Sequence, residues 1–428
     1  MRRELALVCA IVCCSSLIAS CSSDVNKEIA GTDQSGTIVS STKDEADSSQ
    51  SETVPIVSTY PRVGLSGYFS EYSKSVQTVS GKEYKTMDFS RCEFGNVPET
   101  KEVGIYKVKD LDITPEESLA TIEAWLSSEH IENVDLKTEL RDASGQYSSN
   151  DNAKYPYNYP AVFSYSSNFE TGNGFFIDTP DCHIQMGGYN IYSMSNGVIT
   201  HYISPGELAH HDFMDPSSDN IVEEGLVSDL KDKSYTLLNG EVKIGEAADT
   251  VKEYFEKGTP LTGPEGMTID VPYASVFSIG DIYGYNFNVR RVYKGVPFLY
   301  GDFGTFQAPE DYHIDWDIKK AYTIDGNVDA YVGFTQGFEF EDIAGPQTQI
   351  ISLETATDIL EEFLAKQMKI EVYDVSFMYV TIEEVSTMNR TVYPCWVYTG
   401  HNNSDGRNIR CAVDSINGEV FYYTYLDQ

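Results

Sequence analysis

A chain of 428 residues with 66 acidic and 30 basic side chains carries a formal net charge of −36. That balance argues against nucleic acid as a partner, because lysine and arginine must neutralise phosphates. It favours solubility, cation binding or a basic partner.

The chain opens with a charged pair, Arg2 and Arg3, followed by an apolar run over residues 5–12. Leu17-Ile18-Ala19-Ser20 then leads into Cys21. This is the order of a secretory signal, with small residues before the processing point. The run is too short and too interrupted, by Cys13, Cys14, Ser15 and Ser16, for the roughly 20 apolar residues of a membrane span. Its last stretch resembles a bacterial lipobox. The resemblance implies cleavage after residue 20, lipidation of Cys21, and tethering to the outer face of the cell membrane by an acyl anchor.

Residues 21–60 are rich in Ser, Thr, Asp and Glu and lack apolar periodicity. Such a segment buries too little to offset its ordering entropy and reads as a disordered linker. Beyond it the chain is rich in aromatic side chains, drawn from 30 tyrosines and 20 phenylalanines, which favour strands. Asn196-Gly197, Asn239-Gly240, Asp325-Gly326, Asp405-Gly406 and Asn417-Gly418 fall between apolar runs and suit type I′ hairpin turns. Tyr283, Tyr285, Phe287 and Val289 alternate with polar or small residues, as in a strand with one buried face.

Three helices are expected among the strands. Thr114-Pro115-Glu116-Glu117 starts the first, with a capping box and a proline at the first helical position. The second covers residues 246–257, with Ala247, Val251, Tyr254 and Phe255 inward and Gly258 as its stop. The third follows Ser352, with Ala356, Ile359, Leu360, Phe363 and Leu364 on one side. The first and third share local patterns: Ile113-Thr114-Pro115-Glu116 parallels Ile351-Ser352-Leu353-Glu354. The sequence therefore predicts an α+β fold of repeated units, each with one helix packed on an antiparallel β-sheet. The expected units are 61–235, 236–345 and 346–428.

The last eighty residues resemble a PepSY-type module. The resemblance rests on Ile351-Ser352-Leu353-Glu354-Thr355-Ala356, on Tyr393-Pro394-Cys395-Trp396, and on the closing Val413-Asp414-Ser415-Ile416-Asn417-Gly418-Glu419-Val420. Such modules occur in extracytoplasmic regulators of Gram-positive bacteria, including the YycH and YycI pair that restrains a cell-wall sensor kinase. Those regulators hang from a transmembrane helix, whereas the leader here points to a lipid.

No catalytic constellation stands out. Gly-x-Ser-x-Gly, His-Glu-x-x-His and phosphate-binding glycine loops are absent from the sequence. Cys182 and His183 are neighbours, which on a strand point to opposite faces. Asp311, His313, Asp315 and Asp317 would share a strand face, and His210-His211-Asp212 with Asp215 sits in a polar loop. Both clusters read as solvated surface before metal site, and no metal or cofactor is expected. Asn402-Asn403-Ser404-Asp405-Gly406 reads as a hairpin turn before a calcium loop, since it lacks the downstream glutamate. Cys395 and Cys411 are equidistant from residue 403, which allows either a cross-strand disulfide or two free thiols.

The expected function is non-covalent binding of an envelope protein or peptide, without enzymatic activity. The alternatives are a glycan- or wall-binding surface, suggested by the tyrosines, and an envelope hydrolase.

Overall fold

Strands dominate because aromatic and β-branched residues recur at period two, and few stretches carry a helical stripe. The computed structural model describes residues 60–95, 97–110, 127, 148–154, 160–169, 172–179, 182–187, 190–196, 220–257, 264–279, 282–299, 306–307, 311–315, 319–335, 338–343, 345–365, 368–387, 389–403 and 406–425. The expected helix at Thr114, the signal segment, Cys21 and most of the linker lie outside the described residues.

Five helices occur among the described residues: α1 (Leu65–Ser70), α2 (Tyr72–Ser80), α3 (Val227–Leu230), α4 (Ile244–Lys257) and α5 (Leu353–Leu364). The sequence located α4 and α5 well. Ala247, Val251 and Phe255 form the buried stripe of α4. Ser352 caps α5, its hydroxyl accepting the Thr355 backbone N–H at 3.2 Å. Neither α1 nor α2 was foreseen.

Among the described residues one sheet has eleven strands. Its path runs Ile221–Leu226, Met267–Ile279, Ile282–Tyr293, Lys319–Thr323, Ala330–Thr335, Asn190–Asn196, Cys182–Gly187, Gly172–Thr179, Pro160–Phe169 and Ser148–Lys154, with Val296–Pro297 added beside Ile282–Tyr293. The other has ten strands, built around the antiparallel meander Ile370–Glu384, Arg390–Asn402, Arg407–Asp414 and Val420–Tyr425. Among the described residues two short antiparallel pairs complete the set: the hairpin of Ser234–Leu237 with Gly240–Lys243, and the long-range pairing of Arg62–Gly64 with Gln349–Ile351.

This architecture corrects the expected fold class. The protein is mostly β, built on two large sheets, rather than a series of α+β units of one helix on its own sheet. The reason is edge satisfaction: a strand with an open side recruits whatever extended segment lies near it. Strand Ile370–Glu384 takes Arg390–Asn402 on one side. Along the other it takes Met87–Asp88 and Glu93–Phe94 in parallel, then a bridge at Phe298, then Tyr312–Asp315. The sheets therefore cross the expected boundaries at 235 and 345, because residues 62–110 join the C-terminal meander.

Three of the turn signals are fully described, and they held in place but not in type: Gly240, Gly326 and Gly418 have positive φ, while Asn239, Asp325 and Asn417 do not, so these are not type I′ turns. Gly406 also has positive φ, but Asp405 and Gly197 lie outside the described residues. Consecutive positive φ occurs instead at Lys294 (50°) and Gly295 (82°), between the paired residues Tyr293 and Val296.

Strand Ile370–Glu384 bulges between Val372 and Asp374, which crowds its partner at Gly400. A β-carbon at Gly400 would collide with the Glu371 carbonyl oxygen. Gly400→Ala is expected to destabilise the fold by about 1–3 kcal/mol, the usual cost of overpacking a rigid site. A urea midpoint equal to that of the native chain would refute this.

Candidate functional site

The C-terminal meander has two unlike faces, set by strand alternation. On one, Phe377, Tyr379, Trp396, Tyr398, Cys411 and Val413 form a continuous core with Leu65 and Tyr72 of α1 and α2 and with Leu353, Ala356 and Leu360 of α5. Some of the polar side chains there find local partners. Trp396 Nε1 donates to the Ile351 carbonyl at 2.9 Å, and the Tyr398 and Thr357 hydroxyls pair at 2.9 Å.

The opposite face changes character along its length. At one end Met378, Val380, Cys395, Val397, Ala412 and Phe421 are buried together. Towards the other end the cross-strand rows turn polar. Asp374 pairs with Thr399, which pairs with Arg410. The next row is Glu371, His401, Asn408 and Tyr425. The bulge at Tyr373 reorients the strand where this change occurs.

This polar end is half-buried and internally bonded. Ser376 Oγ donates to Asp374 Oδ2 at 2.9 Å. Tyr373 Oη donates to Asn408 Oδ1 at 3.0 Å, and His401 Nδ1 lies 3.3 Å from the same oxygen. The Arg410 guanidinium stands 5.7 Å above the Tyr425 ring, and Arg91 pairs with Glu371 at 3.4 Å. Burial raises the Asp374 carboxyl above its ordinary range, while the Ser376 hydrogen bond and Arg410 pull it down. The group combines hydrogen-bond donors and acceptors of both charges with an aromatic ring, which suits recognition of a polar ligand.

Nucleophilic chemistry would need a base that receives the nucleophile's proton and a group that orients the base. Here Ser376 bonds to Asp374. Among the described residues no cluster of three or more His, Cys, Asp or Glu side chains could hold a metal ion. Asp311 and His313 are exposed beside Tyr312–Asp315, a strand paired with Ile370–Glu384. Asp317, His210, His211, Asp212, Asp215 and Asp405 lie outside the described residues, and for Cys182 and His183 only the backbone is described.

The disulfide alternative is corrected by register. Cys395 faces Asp414 across the hairpin, whereas Cys411 faces Tyr398. The two thiols belong to cores on opposite sheet faces, and both are free. Equal spacing from residue 403 misled because the hairpin is centred elsewhere: Asn402 pairs with Arg407.

Sequence reasoning missed the polar end. The clue was there in Tyr373-Asp374-Val375-Ser376 and in the polar residues flanking the 402–407 turn, but only the register brings them together.

No family model matches the chain, and no curated protein matches it. The chain is similar to a crystal structure of an uncharacterized protein from Eubacterium rectale ATCC 33656, at 13% identity and a TM-score of 0.45. That likeness covers 79% of this chain and 92% of the other.

At the end of this meander Asp414 is wholly buried and accepts backbone N–H bonds from Ile416 (2.8 Å) and Asn417 (3.2 Å). Burial pushes its carboxyl up to about 7, against the opposing effect of those two bonds, from an ordinary value of 3.8. The unfolded chain releases this proton first, so the group's contribution to stability is lost as pH rises from about 4 to about 7. Denaturant titrations should show that decline in the native chain and a flatter profile in Asp414→Asn. Identical profiles would refute the assignment.

Proposed function

We propose that this chain is a lipid-anchored extracytoplasmic protein of the bacterial cell envelope that works by non-covalent binding of a protein or peptide. The observation that carries the reading is the polar end of the C-terminal meander, where Asp374, Thr399, His401, Asn408, Arg410 and Tyr425 share one sheet face. Hydrogen-bonding groups of both charges beside an aromatic ring suit recognition of a polar partner. The lipobox-like run ending at Cys21 supports the address, and the PepSY-like ending of residues 351–427 supports an extracytoplasmic binding role. The linker of residues 21–60 would let the folded part reach a partner beyond the membrane face.

The glycan alternative drew on the abundance of tyrosine. Tyr106, Tyr285, Tyr322, Tyr331, Tyr379, Tyr398 and Tyr423 are fully buried, so they offer no stacking surface for a sugar.

Crosslinking in intact cells tests the reading. The native chain should capture one envelope protein or peptide. Cys21→Ala should release the chain from the membrane and lose most of that capture. Arg410→Glu should stay anchored and weaken capture about tenfold, as loss of a charged interface anchor does. Recovery of wall polymer alone, or capture indifferent to both substitutions, would overturn the proposal. Turnover of a wall or glycan substrate by the purified chain would overturn its non-enzymatic part.

A further inference from the structure

Strand Ile221–Leu226 ends the eleven-stranded sheet. It pairs with Met267–Ile279 on one side, and among the described residues no strand pairs with its other side. Such an edge presents backbone donors and acceptors and is a template for another strand. Burial alternates along it: Ile221, Glu223 and Gly225 are half-buried, whereas Val222, Glu224 and Leu226 are exposed. Val222 is 50% exposed and Leu226 is 51% exposed, the two highest values among the large apolar side chains described.

The edge is held in place from within. Glu223 pairs with Lys233, and Tyr235 Oη donates to the second Glu223 oxygen at 2.9 Å. The irregularity in pairing falls between Ile221 and Glu223, which leaves residues 223–226 in regular register. Glu224 makes no ion pair among the described residues, so over the regular stretch the exposed positions read acidic, then apolar, at Glu224 and Leu226.

We propose that this edge binds an extended peptide by strand addition, and that the partner carries a basic residue with an apolar residue two positions away. Backbone pairing would supply affinity, and the alternating side chains would supply selectivity. A lysine or arginine of the partner lies opposite Glu224, with an apolar side chain near Leu226. Cross-strand opposite charges are favourable and like charges are not.

A second copy of the chain fits less well. Antiparallel self-pairing centred on Glu224 sets Glu224 against Glu224, and each copy brings a net charge of −36. The edge is thus apolar enough to bind and acidic enough to refuse itself. This inference rests on the non-covalent binding reading but concerns a different sheet from the polar end described above.

The test uses the full chain in detergent and a fluorescent nonapeptide of threonines, with valine, lysine and leucine at its third, fifth and seventh positions. A second peptide carries glutamate in place of the lysine, and a third is N-methylated along one backbone edge. Anisotropy should show the lysine peptide bound about threefold to fivefold more tightly than the glutamate peptide. Glu224→Lys, an exposed substitution, should invert that preference, and N-methylation should abolish binding. No binding of the lysine peptide, a preference unchanged by Glu224→Lys, or indifference to N-methylation would each overturn the proposal. So would self-association of the chain that the peptide displaces. Capture of an envelope partner in cells that survives Glu224→Lys, alongside a failed peptide assay, would remove this edge while leaving the broader binding reading intact.

Discussion

Strand Ile370–Glu384 is fifteen residues long, and every buried backbone group along it needs a partner. At about 3.3 Å per residue it spans roughly 50 Å, longer than any one neighbouring hairpin. One side is met by Arg390–Asn402 almost from end to end. The other side is met piecewise, by segments drawn from residues 87–94, from Phe298 and from Tyr312–Asp315. The Leu299 N–H reaches the Tyr379 carbonyl at 2.7 Å in the same series. Distant parts of the chain are thus drawn to one body by a hydrogen-bonding requirement.

That assembly also explains how the beginning of the described chain is tied to its end. Arg62–Gly64 pairs with Gln349–Ile351, and the Arg62 guanidinium donates to the Ile416 carbonyl at 2.8 Å. The Ile351 N–H in turn bonds to the Ser415 carbonyl at 2.6 Å. The turn that holds Asp414 therefore anchors Arg62–Gly64 and Gln349–Ile351. A buried carboxyl is costly, and its retention here goes with the two backbone N–H groups that it satisfies. Arg62–Gly64 thus joins the fold at the apolar end of the meander, while the polar rows lie towards the opposite end of the same strands.

The two surfaces argued for recognition differ in kind. The polar end of the meander is a sheet face, where side chains do the selecting. The outer edge of Ile221–Leu226 is a backbone edge, where pairing gives affinity and side chains only tune it. An acidic chain can keep such an apolar edge exposed because self-repulsion disfavours its pairing with copies of itself.

By itself the sequence determined the charged-then-apolar order of its first residues and the overall acidity, because these are compositional. It also placed α4 and α5, since a helical stripe and a cap are local: Ser352 and the Ala247–Val251–Phe255 spacing needed no tertiary information. Turn positions were legible through glycine, but turn types were not, because φ at the preceding residue depends on how the strands close. Only the tertiary structure decided the sheets. Strand partners are chosen across the chain, so nothing near residue 374 in the sequence says that Arg410 stands two strands away, or that Cys395 and Cys411 face opposite sides. Register converts a period of two into a surface, and register is a property of pairs of strands rather than of either strand alone.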